Sequence, residues 1–209
     1  MHVILDYEVG NLDSVARGFK RAGMDTIISN NPEVIQRAES LILPGVGAFE
    51  DAMISLRRSN LIPLIKAHVL KGKYLLGICL GMQLLFDKGY ENGVFDGLGF
   101  LRGTIDFMNI PYKVPHMGWN ELIFNQPNDK ILSLIAENDN VYFVHSYYAN
   151  ADKADVIAYT NYGINMPAIV KKGNIYGMQF HPEKSGRVGL NLLKAYGALF
   201  VWYYFRQLI

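Results

Sequence analysis

Residues 74–83 of the 209-residue chain read Tyr74-Leu75-Leu76-Gly77-Ile78-Cys79-Leu80-Gly81-Met82-Gln83. The apolar run at residues 74–76 is typical of a short buried strand, and residues 80–86 are typical of the start of a helix. A strand-to-helix turn is therefore predicted, with Cys79 at its tip. Glycines on both sides, Gly77 and Gly81, allow the sharp backbone reversal of a nucleophile elbow.

Strands and helices alternate in the sequence before this turn. Apolar, β-prone residues occupy 2–5, 26–28 and 40–43, and helical periodicity occupies 12–22, 32–38 and 50–70, with a break expected at Pro63. This alternation predicts an α/β fold with a mostly parallel central sheet flanked by helices. Ligands of such folds bind outside the carboxyl ends of the strands, and Cys79 lies at such an end.

The pattern changes after Gly89. Short β-prone runs occur at 101–107, 119–124, 141–145, 156–159, 168–170 and 175–180. They predict an additional antiparallel β portion in the second half of the chain. The pattern of residues 185–205 then predicts a helix that packs against a sheet. We expect the apolar residues 201–205 to form an additional packing surface. The length suits a single domain over residues 1–209.

Charge and composition narrow the class of partner. Twenty basic and nineteen acidic residues give a net charge of +1, with no run of like charges. This balance argues against binding to nucleic acid or an anionic membrane, and favours small-molecule or protein partners. A single cysteine excludes an internal disulfide, and the N-terminus does not resemble a signal peptide. The most apolar segment, 195–205, is too short to span a bilayer. We therefore expect a cytoplasmic protein.

Cys79 has two possible roles. A lone intracellular cysteine is most often an inert, buried apolar residue. At the start of a helix, however, unpaired backbone N–H groups favour the thiolate, which is the nucleophilic form. The N–H of Leu80 also faces the position where an attacked carbonyl oxygen would develop charge. Position therefore favours a nucleophile over an inert thiol.

The sequence His181-Pro182-Glu183 offers a base for such a nucleophile. In extended backbone, residues two apart project to the same side, so Glu183 can accept a hydrogen bond from His181 and orient its ring. The alternative is a turn with an exposed, salt-bridging glutamate. The rival bases are the other four histidines, His2, His68, His116 and His145. Of these, His145 ranks second to His181 because it also ends an apolar strand.

The loop Pro44-Gly45-Val46-Gly47 follows a predicted strand. Glycines on both sides of Val46 let this peptide rotate, so that its N–H can point into a neighbouring site as a second oxyanion donor. A simple turn with no ligand role is the alternative. The glycine spacing does not match a phosphate-binding loop, and the histidines and the cysteine form no recognised metal-ligand pair. No cofactor and no metal are expected.

Together these motifs resemble the triad-type, class I glutamine amidotransferases. Three further stretches, at residues 6–12, 44–49 and 115–120, are similar to the glutaminase subunits of imidazole glycerol phosphate synthase. The resemblance extends from about Asp6 to Ser185. It implies a flavodoxin-like fold, and a heterodimer with a (β/α)₈-barrel cyclase subunit that makes imidazole glycerol phosphate and AICAR in histidine biosynthesis.

The resemblance also implies roles for individual residues. Cys79 attacks the side-chain amide of L-glutamine, His181 transfers the proton that lets ammonia leave, and Glu183 orients His181. Residues that hold glutamine would be Gly47, Gln83, Glu91, Ser146 and Tyr147. Residues that face the partner would be Asn11, Met117, Gly118, Trp119 and Asn120. Two simpler interpretations remain open, in which Trp119 is a core aromatic and Gln83 a solvated helix residue.

Glu8 departs from the family pattern, because the family commonly has glycine at this position. A carboxylate there adds charge and removes backbone freedom near the expected interface. One alternative function is therefore a related glutaminase subunit that feeds a different synthase, for example one that aminates a surface sugar. A non-catalytic binding module with a relic triad, or a cysteine hydrolase of peptides, are further alternatives.

Overall fold

The computed structural model describes the backbone of residues 1–207 and the side chains of residues 1–200. The first half contains β1 (His2–Leu5), α1 (Leu12–Arg21), β2 (Thr26–Ser29), α2 (Pro32–Arg37), β3 (Ser40–Leu43), α3 (Phe49–Arg58), α4 (Leu61–Leu70), β4 (Tyr74–Ile78) and α5 (Leu80–Gln83). The second half contains β5 (Phe86–Gly89), β6 (Phe95–Asp96), β7 (Leu101–Phe107), β8 (His116–Glu121), β9 (Ile123–Phe124), β10 (Asn140–His145), β11 (Tyr147–Ala151), β12 (Val156–Asn161), β13 (Asn165–Lys172), β14 (Ile175–Met178) and α6 (Gly186–Gln207).

The largest sheet has eight strands in the order β2-β1-β3-β4-β14-β13-β12-β9. The pairings from β2 through β14 are parallel, and those from β14 to β9 are antiparallel. The predicted α/β fold with a mostly parallel central sheet and an antiparallel extension is confirmed. A consequence is that β14, which precedes His181, lies directly beside β4, which precedes Cys79.

The remaining strands form two smaller sheets. One contains β11, β7, β5 and β6, and the other pairs β10 with β8. The pairings are antiparallel, as predicted for this half of the chain, except that β5 and β7 run parallel. The β8–β10 ribbon places its end next to the carboxyl edge of the central sheet, where His145 closes β10.

Helices cover both faces of the central sheet. Successive residues of β1 and β3 alternate between two apolar layers, as the period of two in a strand requires. Val3 and Leu5 pack with α2, α3 and α4, whereas Ile4 and Ile42 pack with α1 and α6. The double cover explains why these strands are apolar on both faces.

Two predicted boundaries are wrong. The helical region 50–70 breaks at Asn60, which has φ 54°, and not at Pro63. Pro63 instead lies in the first turn of α4, where its missing N–H removes no helical hydrogen bond. The helix after Cys79 ends at Gln83, because the carbonyls of Leu84 and Leu85 accept hydrogen bonds from residues 98, 100 and 101, and Phe86 begins β5.

Within the described residues, no helix has the length and apolar content needed to cross a bilayer. The predicted helix at residues 185–205 corresponds to α6. The side chains of residues 201–205, proposed as an additional packing surface, lie outside the described residues.

Candidate active site

Cys79 forms the turn between β4 and α5, and its backbone has φ 54° and ψ −114°. Its N–H donates to the carbonyl of Met178 at 2.7 Å, which ties the turn to β14. Positive φ is unusual for a residue with a side chain, and such strain concentrates at functional sites. The surrounding structure therefore keeps Cys79 in a strained conformation, which places its thiol at the carboxyl edge of the sheet, where the residue is 7% exposed.

The glycines beside Cys79 have a different role from the one predicted. Gly77 and Gly81 both have ordinary φ angles, so the reversal is made by Cys79 itself. A Cβ on Gly81 would lie 1.8 Å from the carbonyl oxygen of Leu43, and one on Gly77 would lie 2.5 Å from the carbonyl oxygen of Gly81. Both glycines are needed because backbone approaches backbone here.

His181 and Glu183 form a buried pair. The imidazole Nδ1 lies 2.9 Å from Oε1 of Glu183, and the side chains are 6% and 2% exposed. The backbone of His181 is fixed as well, since its N–H donates to the carbonyl of Tyr142 and its carbonyl accepts from the hydroxyl of Ser185. The alternative of an exposed glutamate at this turn is wrong.

The charge state of His181 follows from its neighbours. Burial alone would lower its pKa, but interactions with Cys79 and Glu183 outweigh burial and raise the pKa to about 9. The imidazole is therefore protonated at neutral pH. Because Nδ1 is engaged by Glu183, Nε2 is the nitrogen left to exchange a proton with Cys79 or with a bound substrate.

A cavity of about 360 Å³ lies in front of Cys79 and His181. The structure brings together in its lining the predicted residues Val46, Gly47, Cys79, Leu80, Gln83, Glu91, Ser146, Tyr147 and His181. Pro115, Val144, His145 and Lys184 also line it. Of these four, His145 was predicted only as a rival base, and the sequence assigned the other three no place in the site.

Gln83 and Glu91 are held in place by the protein. Both hydrogens of the Gln83 amide are used, one by the carbonyl of Tyr147 and one by Oε1 of Gln179, each at 3.0 Å. With 5% of its surface exposed, Gln83 is not a solvated helix residue. Oε2 of Glu91 accepts from the N–H of Phe49 at 2.8 Å, at the start of α3.

The loop from Pro44 to Gly47 packs on the elbow. A Cβ on Gly45 would lie 2.9 Å from the backbone nitrogen of Gly81, and the Tyr7 hydroxyl donates to the carbonyl of Pro44. Gly47 has φ 94° with no atom within 4 Å of an added Cβ. The loop is thus anchored at Pro44 and open at Gly47.

Comparisons with known proteins agree with this geometry. The model of the family described as glutamine amidotransferase class-I matches residues 3–195. The imidazole glycerol phosphate synthase subunit HisH of Lactococcus lactis subsp. lactis (strain IL1403) is 50% identical over 195 residues, which cover 93% of this chain and 96% of the relative. The chain belongs to the class-I glutamine amidotransferases, and within them to the HisH subunits.

A further relative shows the same family, and two solved structures show the same fold. The subunit HisH of Geobacillus sp. (strain WCH70) is 48% identical to this amidotransferase over 205 residues, covering 94% of this chain and 95% of the relative. A solved glutamine amidotransferase superposes with a TM-score of 0.73 at 20% identity, covering 93% of this chain and 98% of the other. A PurLQS structure from Thermotoga maritima gives 0.75 at 18% identity, with 95% and 97% covered.

The residues expected to face a partner are split between surfaces in this amidotransferase. Met117 and Trp119 project outward from β8 and are 62% and 55% exposed, so Trp119 is not a core aromatic. Asn120 points to the opposite face of β8, where it bonds to His116 and to the carbonyl of Asn161. Asn11 accepts from the N–H of Ser14 and so caps α1. Gly118, between Met117 and Trp119, has φ 149°.

The rival histidines have other partners. His2 bonds to Ser40, and His68 bonds to the carbonyl of Tyr74. His145 does line the cavity, and its ring bonds to the carbonyl of Tyr147 and to His116. Among the residues that the structure describes, no cluster of three or more His, Cys, Asp or Glu side chains could hold a metal ion.

Sequence reasoning missed Tyr7 and Gln179. Tyr7 is 1% exposed and fixes the loop at Pro44, and Gln179 is fully buried and fixes Gln83. A signal for Gln179 existed, since it lies two residues before His181 at the end of a strand beside the elbow. Tyr7 lies in the stretch 6–12 that carries the family resemblance, but no local pattern indicated its contact, which joins residues 37 apart.

Proposed function

We propose that Cys79, His181 and Glu183 hydrolyse L-glutamine to glutamate and ammonia in this chain. The observation that carries the proposal is the buried imidazole held by Glu183 in the cavity that also receives the Cys79 thiol. The raised pKa of His181, about 9, supports it because a protonated imidazole stabilises a neighbouring thiolate.

The reaction would proceed through a thioester. The Cys79 thiolate attacks the carboxamide carbon, and the oxyanion accepts hydrogen bonds from the N–H groups of Leu80 and Val46. Nε2–H of His181 donates its proton to the leaving ammonia. Water, deprotonated by the same nitrogen, then attacks the glutamyl thioester and releases glutamate and the thiolate. Glu183 keeps Nδ1–H fixed, so that Nε2 faces the reacting atoms throughout.

Glutamine would bind across the cavity. Its side chain reaches Cys79 beside Gly47 and Gln83, and the carboxylate of Glu91 supplies a negative charge for the α-ammonium group. Ser146 and Tyr147 bring backbone and side-chain polar groups from the start of β11. The volume of about 360 Å³ lies at the small end of the range for ligand pockets, as a single amino acid requires.

The partner would be the barrel cyclase subunit of imidazole glycerol phosphate synthase, in a cytoplasmic heterodimer. Support comes from the relatives, which are named as subunits of that synthase. Exposed Met117 and Trp119, with Gly118 between them, would form the contact surface, while Asn120, on the opposite face of β8, and Asn11, which caps α1, would support it. Ammonia would pass through the barrel to the cyclase, which makes imidazole glycerol phosphate and AICAR. The whole chain, residues 1–209, would act as one domain.

The loop at Val46 gives a reason for control by the partner. Gly45 packs against the elbow, while Gly47 has open space and φ 94°, so the backbone can change conformation at Gly47 and turn the Gly45–Val46 peptide, which carries the Val46 N–H. The oxyanion hole would be incomplete in the free chain and would be completed when the cyclase and its ribonucleotide substrate are bound. The free chain should therefore hydrolyse glutamine much more slowly than the loaded complex.

Glutaminase assays with and without the cyclase and its ribonucleotide test these proposals. The Cys79→Ala variant should lose hydrolysis while still binding the cyclase, and hydrolysis by that variant would refute the mechanism. Equal rates of glutamine hydrolysis by the free chain and the loaded complex would contradict the proposed control by the partner.

The acceptor is tested separately with glutamine labelled at its amide nitrogen. Label should appear in the imidazole ring of the product. Exposed Glu8, at φ 67° in the loop after β1, is the feature that would suit another synthase. Glutamine hydrolysis without labelling of the ring would favour that alternative.

A further inference from the structure

His116 and His145 form a buried pair that the triad does not use. They are cross-strand neighbours in β8 and β10, and Nδ1 of His116 lies 3.1 Å from Nε2 of His145. The His116 ring is stacked between Tyr162 at 4.1 Å and Phe143 at 4.9 Å, with interplanar angles of 18° and 22°. With 1% exposure and an aromatic ring on each face, the His116 ring is held in one orientation.

The pair lies within a continuous chain of hydrogen bonds. At one end, Nδ1 of His145 lies 2.8 Å from the carbonyl of Tyr147, which also accepts from Gln83. At the other end, Nε2 of His116 lies 3.0 Å from Oδ1 of Asn120. The amide of Asn120 is oriented by its Nδ2, which donates to the carbonyl of Asn161 at 2.9 Å. The series of hydrogen bonds therefore ends in an acceptor on both sides, the Tyr147 carbonyl and Oδ1 of Asn120.

The two rings carry too few hydrogens for this series of hydrogen bonds. The series has three contacts, one at Tyr147, one between the rings and one at Asn120, and each needs one N–H. Two neutral imidazoles supply only two. Burial lowers the pKa of His145 to about 4, against the opposing bond to Tyr147, and also lowers the pKa of His116. The repulsion between the two rings and the positive charge of nearby His181 also lower the pKa of His145. At neutral pH one contact lacks its hydrogen.

Two arrangements keep the contact between the rings. In the first, His116 donates from Nδ1 to His145, and His145 donates from Nδ1 to the Tyr147 carbonyl, which leaves Asn120 without a donor. In the second, His145 donates from Nε2 to His116, and His116 donates to Asn120, which leaves Tyr147 with one donor fewer. The arrangements differ only in tautomer, but the first donates a hydrogen bond to Tyr147 and the second donates one to Asn120.

We propose that His116 and His145 are positioning residues that couple β8 to the glutamine site by exchanging between these two tautomeric arrangements. The inference rests on the proposed glutaminase function. A change on β8 that releases Asn120 favours the first arrangement, in which the Tyr147 carbonyl holds both His145 and Gln83. Met117 and Trp119 lie exposed on the same strand, so contact there can act on Asn120. Coupling then runs in both directions, as linkage requires.

A double-substitution experiment separates coupling from packing. In His116→Gln the side-chain amide takes the place of Nε2 and bonds only to Asn120, so His145 can donate to the Tyr147 carbonyl whatever Asn120 does. With the cyclase present, Asn120→Ala should lower KM for glutamine about three- to tenfold in the wild-type background, the equivalent of one hydrogen bond, and should change it by less than about twofold in the His116→Gln background. In all these variants kcat should change little. An equal effect of Asn120→Ala on KM in the two backgrounds would overturn the coupling.

Ring ¹⁵N spectra of the free chain test the tautomers directly. Asn120→Ala should shift His145 to the Nδ1–H tautomer, and saturating glutamine added to the Cys79→Ala variant should shift the tautomer of His116, which lies outside the cavity. Unchanged ring nitrogens in both experiments would overturn the inference. If the wild-type chain with cyclase hydrolyses glutamine while the rings do not respond, only the coupling fails. A wild-type complex that hydrolyses no glutamine would remove the proposed function and the inference with it.

Discussion

At Cys79 the backbone adopts φ 54° and ψ −114°, a conformation that glycine tolerates far better than a residue with a Cβ. Cys79→Ala and Cys79→Gly both remove the thiol and should both abolish glutamine hydrolysis. They should differ in stability, because only glycine relieves the strain. We expect Cys79→Gly to unfold with a free energy about 1 kcal/mol higher than that of Cys79→Ala in urea titrations. An alanine variant as stable as the glycine variant would show that the turn is unstrained.

The interactions of His181 with Cys79 and with Glu183 together raise the pKa of the imidazole against its burial. Because the folded-state pKa of His181 is raised to about 9 from 6.5, this group contributes stability fully below pH 6.5 and loses the contribution as the pH rises through about 9. Glu183→Gln removes the negative charge, so the pKa of His181 should fall. The alkaline limb of the kcat/KM profile for glutamine should then move about one or more pH units lower, with a reduced maximum.

Exposed Glu33, in the first turn of α2, provides the matched control for this substitution. Glu33→Gln makes the same chemical change far from the cavity and should leave the pH profile unaltered. If the alkaline limb of Glu183→Gln coincided with that of the wild-type chain, the protonation of His181 would not depend on Glu183.

Single residues differ in how far sequence could place them. His181 and Glu183 are two apart, so the geometry of extended backbone predicted that Glu183 could hold the ring. His116 and His145 are 29 apart, and their contact depends on the register of β8 against β10, which no local pattern specifies. Sequence therefore identified His145 as a candidate base but gave no sign of the ring that binds it.

Between elements, the backbones of β3 and α5 lie close together at Gly81. A Cβ on Gly81 would lie 1.8 Å from the carbonyl oxygen of Leu43, whereas a Cβ on Gly23, after α1, would have no atom within 4 Å. Gly81→Ala should lower the free energy of unfolding by more than about 3 kcal/mol, because two segments of backbone must separate. Gly23→Ala, at φ 83°, should cost about 1 kcal/mol from backbone strain alone. Equal losses in denaturant titrations would contradict the close approach.

The alternation of strands and helices was predictable because each element before Cys79 carries its own periodicity. The length of α5 was not predictable, since its end depends on residues 98–101 pairing with the carbonyls of Leu84 and Leu85. Likewise Pro63 breaks helices in general, but the first turn of α4 accommodates it. Local patterns thus specified the type of these elements, nonlocal hydrogen bonds specified the end of α5, and the left-handed conformation of Asn60 specified the break between α3 and α4.

In the whole molecule, one sheet joins the two halves that differ in sequence character. β14 pairs with β4 in the centre, so strands from residues 1–78 and from residues 156–178 share the same two apolar layers. A chain divided at Gly89 would expose both layers. We therefore expect the change in pattern at Gly89 to mark a change in connectivity within one sheet, and not a boundary between folding units.

A single cooperative unfolding transition is expected from this continuity. Amide hydrogens of Ile4 in β1 and Ile169 in β13, both fully buried, should exchange with the same free energy of opening. Leu76→Ala, in the fully buried centre of β4, should lower both values equally, by about 3 kcal/mol, whereas Leu70→Ala, at a side chain 87% exposed, should change neither. If β13 opened at a lower free energy than β1, or if Leu76→Ala affected only one of them, the two halves would be separate folding units.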